Sequence, residues 1–290
     1  MANSISTESL LAGIQNGSIV PYLGAGALKG STNKVDQTDI PADSDSLILS
    51  MNNGQAMVPK LMYEFPRAAM HLELKRGRSF ITKFLTKLYQ DQQWSTPELY
   101  KWLYELNLPY LIDSNRDILL QNEYAKRAHN LVLGCARIGG TEYRFKIFEY
   151  DMDSYKEVDV ENVNASLPTL FKPMGSPVPE PNFIASDADY VDYITELMGG
   201  FAIPKFLKDH RLQKQYLYLG MRFTRDTERM VMSDITWGAD KVRGWAVIPE
   251  PTEKEKRFCA RIGIEIIETD IDTLFNEFTA QEVNKSVATA

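Results

Sequence analysis

The chain has 290 residues, with 32 lysines and arginines against 39 acidic residues, a net charge of −7 and 44% hydrophobic residues. This acidic balance argues against sequence-independent nucleic-acid binding, which needs a basic face, while the apolar share suffices for one large domain or two small ones. The two cysteines, Cys135 and Cys259, are too few for a four-thiolate zinc site or a disulfide framework and read as buried free thiols.

No basic segment followed by an apolar stretch opens the chain, and no apolar run approaches ~18 residues. The sequence therefore predicts neither signal peptide nor membrane span, and a cytoplasmic protein. The basic run Lys75-Arg76-Gly77-Arg78 reads as a solvated helix end. Thr7 is placed to cap a first helix through Leu10, Leu11 and Ile14 that stops at Gly17.

A first strand, Ile19 to Leu23, breaks into Gly24-Ala25-Gly26-Ala27. A strand ending in a glycine turn that leads into a helix is a common phosphate cradle, because the backbone turns tightly and its N–H groups can face the anion. A third fingerprint glycine is due at Lys29, and Gly30 comes one residue late, so a plain strand-to-helix turn is the competing reading. Residues 29 to 45 are polar and aperiodic, either a lid or binding loop or a disordered insertion.

From Asp43 to Leu106 the period becomes helical. Leu47, Ile48 and Met51 share a face, Met57, Leu61, Met62 and Phe65 another, and Phe80, Ile81, Phe84, Leu85 and Leu88 form an amphipathic stripe. A helix opens at Thr96-Pro97-Glu98. Strand signals return at Pro109 to Ile112, Asn130 to Leu133 and Pro168 to Lys172, with a hairpin or edge region at Tyr143 to Val160. Further on, helices at Asp187 to Met198, Pro204 to Arg211, Asp226 to Met232, Glu253 to Ile262 and Ile271 to Phe278 are interleaved with strands at Tyr216 to Gly220, Trp245 to Ile248 and Ile264 to Ile267. This alternation predicts an α/β fold: a doubly wound, mostly parallel, Rossmann-like sheet with a helical insertion after the first strand–turn unit. The division expected is one domain over 1–280, with 18–28 and 107–280 as its core, 43–106 as a helical subdomain and 281–290 as a flexible tail. In such sheets ligands lie beyond the strands' carboxyl ends, so Gly24 to Ala27, Asp113 to Asp117, Pro173 to Ser176 and Gly220 to Arg222 should converge.

Four blocks in this order resemble the sirtuin-like (SIR2-like) domain family, in its zinc-free bacterial branch. Val20-Pro21-Tyr22-Leu23-Gly24-Ala25-Gly26-Ala27 is similar to its first strand and NAD loop, and Leu111-Ile112-Asp113-Ser114-Asn115-Arg116-Asp117 to its Thr-Thr-Asn-Tyr-Asp block. Phe171-Lys172-Pro173-Met174-Gly175-Ser176, followed by Ser186-Asp187-Ala188-Asp189-Tyr190, is similar to its Lys-Leu-His-Gly-Ser block, and Leu217-Tyr218-Leu219-Gly220 to a later strand. The resemblance implies NAD or ADP-ribose as ligand and no zinc. It places Gly24, Ala25, Gly26 and Ala27 on the phosphates, Asn115 and Asp117 at the nicotinamide ribose and carboxamide, and Gly220 on the adenosine side, with Arg116, Gly175 and Ser176 completing the set. A cap on a short helix is the alternative role of Asn115 and Asp117.

The departures are specific. The family's general-base histidine falls at Met174, whose thioether has no usable proton affinity. Leu28 replaces a serine. Arg116 replaces an aromatic residue and is either an anion ligand or half of a surface ion pair. His71, His129 and His210 fall away from the expected strand ends. The resemblance thus implies a SIR2-like protein that lost catalysis and acts by binding a nucleotide or a protein partner, self-association included. The alternatives are an NAD hydrolase and an assembly protein whose pocket is closed by Met174, Leu28 and Met221.

Overall fold

The computed structural model describes residues 5–238 and 243–289, with backbone alone beyond Val283. Helix α1 (Thr7–Gln15) leads into strand β1 (Ile19–Leu23). Its cap is Ser6, one residue before the expected Thr7, and the Ser6 hydroxyl accepts the Ser9 N–H at 3.2 Å. Helices α2 (Ser44–Met51), α3 (Pro59–Met62), α4 (Phe65–Arg76), α5 (Arg78–Tyr89) and α6 (Glu98–Glu105) form the helical block. Then come β2 (Tyr110–Asp113), α7 (Leu119–Tyr124), β3 (His129–Gly134), the hairpin β4 (Phe145–Tyr150) and β5 (Tyr155–Glu157), and β6 (Thr169–Lys172). A two-stranded ribbon, β7 (Gly175–Ser176) with β8 (Asn182–Phe183), precedes α8 (Asp187–Gly199) and α9 (Lys205–His210). The last third runs β9 (Gln215–Leu219), α10 (Asp226–Ile235), β10 (Gly244–Val247), α11 (Glu253–Ile262), β11 (Ile264–Ile267) and α12 (Ile271–Thr289).

Among the described residues nine strands make one sheet in the order β11-β10-β9-β1-β2-β6-β3-β4-β5. All pairings from β11 to β3 are parallel, and β4 and β5 add an antiparallel edge. The central strands are buried on both faces, which explains their nearly continuous apolar runs. Alternate residues serve two cores. Leu23, Leu111, Leu170, Leu217 and Leu219 face α1, the helical block and α12. Tyr22, Ile112, Phe171, Tyr216 and Tyr218 face α8, α10 and α11. This is the doubly wound arrangement expected. The helical block has no core of its own, because Leu47, Ile48, Leu85 and Leu103 belong to the same cluster as one face of the sheet.

Two segments differ from the sequence expectation. The polar stretch after the glycine turn is anchored: Thr32 bridges Asp39, Asn33 bridges Trp94, and Ser31 and Ile40 are buried. That removes the disordered-insertion alternative. The expected tail after residue 280 continues α12, where Glu282 accepts hydrogen bonds from Gln15 at 2.9 Å and from the Trp102 indole at 2.8 Å. Polar composition hid this, because the apolar contacts of α12 come from Leu274 and Phe278, while Glu282 is held by hydrogen bonds from Gln15 and Trp102. Among the described residues no helix is long and apolar enough to cross a membrane.

Candidate functional site

From β1 the chain builds one half of the sheet through β2, β6 and β3, then returns to build the other half through β9, β10 and β11. The order therefore reverses between β1 and β9, and a crevice at such a switch point is where open α/β sheets bind ligands. The turn Gly24–Leu28 and Gly220 stand at the carboxyl ends of these two strands. A cavity of about 980 Å³ opens there, within the range of small-molecule sites. Gly24, Ala25, Gly26, Ala27, Leu28, Asn115, Arg116, Met174, Tyr190, Gly220 and Met221 all line it, with Ile40 and Asp43 on the helical side and Arg225, Glu228 and Val231 from the β9–α10 segment.

The glycines have a packing reason. The Gly24 N–H donates to Leu219 O at 2.9 Å and the Gly26 N–H to Gly220 O at 2.8 Å. A Cβ on Gly26 would stand 2.8 Å from the Gly220 Cα, and one on Gly24 2.7 Å from Gly220 O. The Gly26 amide is thus engaged by the partner strand and is not free to face an anion, as the sequence had suggested. What the turn offers the cavity is an exposed, side-chain-free surface at Gly26.

The loop after β2 is fixed from below. Asp113 and Lys172, both wholly buried, form an ion pair at 2.6 Å. The other Asp113 oxygen accepts the Asn115 N–H at 3.0 Å. The Asn115 side-chain amide lies 3.0 Å from both Gly24 O and Asp113 Oδ1 and 3.2 Å from Tyr100 OH. Asn115 thereby ties the two strand ends together at the cavity wall.

Arg116 is not half of a surface ion pair. It is 8% exposed, and its Nε and Nη2 donate to Ile184 O at 3.0 and 2.6 Å. Nη2 also donates to Tyr190 OH at 3.2 Å, and the guanidinium lies over the Phe65 ring. Tyr190 OH donates in turn to the Met174 sulfur at 3.2 Å. Met174, Leu28 and Met221 are wall residues around an open cavity, which speaks against a closed pocket.

Three of the expected site residues are elsewhere. Asp117 is wholly buried below the cavity wall, and its Oδ1 accepts the Leu119 N–H at 2.8 Å, the capping role that sequence left as the alternative. Ser176 is also wholly buried and donates to Gln121 at 2.8 Å. Gly175, at φ +82°, packs against the Asn182 backbone in the β7–β8 ribbon. The histidines are also remote. His129 is buried against Tyr155 and Arg127 O, and burial holds it down to about 4. His210 packs edge-on to Tyr110 at the opposite end of β2, and His71 lies on α4. Both thiols are buried and pushed up to about 12 by that burial.

Asp117 leaves Oδ2 without a partner among the described residues. Burial pushes its carboxyl up to about 6, against the pull of Lys172, and the Asp113 charge adds to the rise. The unfolded value is ~4, so the folded state holds this proton more tightly. The resulting stabilisation is full below about pH 4 and lost as pH rises through about 6. Asp117→Asn keeps an oxygen for the Leu119 N–H. It is expected to raise the urea midpoint near pH 8 and change it little near pH 4; equal effects at both would contradict this.

Sequence reading missed Glu228. It lines the cavity from α10, at helical spacing from the buried Val231, Met232 and Ile235. A charged residue in register with an apolar stripe was the available signal. Glu228 is exposed and borders the cavity. Partial desolvation by the cavity wall raises its carboxyl above the usual carboxylate range, with Glu64 adding to the rise and Arg225 and Arg116 opposing it.

The model of the SIR2-like domain matches residues 110–267, from β2 through β11 and more than half of the chain. The chain belongs to the SIR2-like domain family. The matched span covers the Asn115 loop, Met174, Gly220 and Glu228, while the turn Gly24–Leu28 precedes it. No curated protein matches the chain. Among the described residues no group of three or more His, Cys, Asp or Glu side chains is placed to hold a metal ion.

Proposed function

We propose that this SIR2-like protein binds an NAD-type nucleotide in the switch-point cavity and has lost the histidine-based chemistry of its family. The observation that carries the reading is the cavity itself, about 980 Å³, walled by the Gly24–Leu28 turn, Asn115 and Gly220 at the strand carboxyl ends. The SIR2-like family commonly binds NAD. The residues fit such a ligand: Gly26 offers a wall without a side chain, Asn115 a tethered polar edge, and Met174, Leu28 and Met221 apolar surface for a flat ring. Met174 stands where the resemblance puts the histidine, so proton removal from a ribose hydroxyl has no base at that position. In this reading the chain acts through what it binds, with the loaded state read by a protein partner or by a second copy of the chain.

Calorimetric titration with NAD and with ADP-ribose tests the reading. One saturable site for each is expected, with NAD recovered intact. Absence of heat with either ligand would overturn it. A second reading, NAD hydrolysis, is favoured by one observation, the Glu228 carboxyl group in the same cavity wall, available as a general base. Nicotinamide release that Glu228→Gln abolishes would decide for it.

A further inference from the structure

A second cavity, of about 240 Å³, lies at the other end of the sheet, beyond the amino ends of its strands. It is framed by Pro109 and Tyr110 at the start of β2, Thr169 at the start of β6, Ala165 to Leu167 in the connection ahead of it, and Phe206, Leu207 and His210 of α9. Its volume is about a quarter of the first cavity's, room for one ring system and too little for a dinucleotide. The wall is mostly apolar: Tyr110 and Leu207 are buried, and Phe206 packs against the core on that face of the sheet. No lysine, arginine, aspartate or glutamate lines it.

The polar groups in this wall are unequal. The Ser166 hydroxyl donates to Asn164 Oδ1 at 2.6 Å, and the Thr169 hydroxyl lies 3.4 Å from both Leu167 O and Asn130 Nδ2. His210 has a free end. Its Nε2 is buried and has no hydrogen-bond partner among the described residues. The ring is nonetheless held in place, edge-on to Tyr110 with the centroids 5.1 Å apart and the planes at 82°. Burial and the nearby Lys214 charge lower its proton affinity, which keeps the imidazole neutral at neutral pH. A buried polar atom without a partner is uncommon in a folded protein and calls for a group to satisfy it.

We propose that this second cavity binds a small, uncharged aromatic compound bearing a hydroxyl group, a phenol in its simplest form, with the ring against Phe206, Leu207 and Tyr110 and the hydroxyl on His210 Nε2. A hydroxyl both donates and accepts, so it satisfies Nε2 in either tautomer of the neutral ring. A carboxylate or ammonium group would leave water for a wall that offers it no counter-charge. The two cavities share no lining residue, so this site stands whether or not the switch-point cavity takes a nucleotide.

The test is a fluorine-observed NMR titration of para-fluorophenol into the full chain near neutral pH, with para-fluorotoluene and para-fluorobenzoate as matched apolar and charged probes. The native chain is expected to bind the phenol saturably and more tightly than the benzoate. His210→Phe keeps the ring and removes the polar atom. It should weaken the phenol about fivefold to tenfold, the worth of one hydrogen bond, and leave the toluene as tight as before. Ala165 stands exposed at the rim, so Ala165→Trp of unchanged melting temperature should abolish binding of both. Three results would overturn the proposal: no saturable binding of the phenol to the native chain, native affinity in Ala165→Trp, or equal losses for phenol and toluene in His210→Phe. Benzoate binding as tight as the phenol's would overturn it as well. Should His210→Phe fail to fold, Ala165→Trp and the benzoate comparison still decide.

Discussion

Lys172→Met is expected to lower the unfolding free energy by about 3–5 kcal/mol, the usual result of removing one partner from a buried ion pair. Lys172 and Asp113 are wholly buried and 2.6 Å apart. Without the ammonium group, the Asp113 carboxylate stays in the interior uncompensated, beside Asp117, whose carboxyl is already pushed up to about 6. The damage reaches the cavity, because Asp113 holds both the backbone and the side chain of Asn115. Urea unfolding checks the magnitude, and the double variant Asp113→Asn with Lys172→Met checks the cause. Removing both charges should recover much of the loss. A single-variant loss below about 1 kcal/mol would show that water reaches the pair.

The second large effect is expected for Gly220→Ala, at about 2–5 kcal/mol from backbone strain and overpacking together. Gly220 has φ +73°, a conformation that L side chains rarely adopt. A Cβ there would run into the Ala27 N and stand 2.5 Å from the Gly26 carbonyl carbon. These are backbone atoms of a turn already bonded to the end of β9, so the neighbours cannot give way by rotating a side chain. The expected result is a lower melting temperature together with loss of nucleotide affinity. Gly30→Ala is the matched control: it also has positive φ, but a Cβ there meets nothing within 4 Å. Its effect should be about 1–2 kcal/mol, from the backbone alone. Equal effects at the two positions would mean that the β1–β9 approach is looser than the hydrogen bonds imply.

The sheet was legible because its strands carry the signature of burial on both faces. Ile19 to Leu23, Leu131 to Leu133 and Tyr216 to Leu219 are apolar runs of strand length between turn residues. Strand order was not legible. That β6 inserts between β2 and β3 depends on contacts between segments far apart in the chain, which no local period encodes. The site was legible where it is backbone. Gly24, Gly26 and Gly220 announce a turn and a close approach, and the structure brings them together at the switch point. It was less legible where it is made of paired side chains. Lys172 and Asp113 are each ordinary in sequence, and Arg116, by sequence either an anion ligand or half of a surface ion pair, is instead enclosed by Ile184, Tyr190 and Phe65. Asp117 and Ser176 were placed at the ligand by the motif that contains them, yet both side chains turn away to serve Leu119 and Gln121. A motif fixes a loop, but each side chain in it follows the nearest unsatisfied hydrogen-bonding group. Glu228 is the converse: it belongs to no motif, and only its register with Val231, Met232 and Ile235 sets it apart in the sequence.

The central claim is that the switch-point cavity is the nucleotide site, and a blocking variant tests it most directly. Ala25 lines the cavity and is only partly buried, so Ala25→Trp fills the space without displacing core. ADP-ribose titrated into the native chain should bind at one site, and titrated into Ala25→Trp of unchanged melting temperature it should give no saturable heat. Saturable binding to the blocked variant at native affinity would contradict the account, because the nucleotide would then have to lie elsewhere.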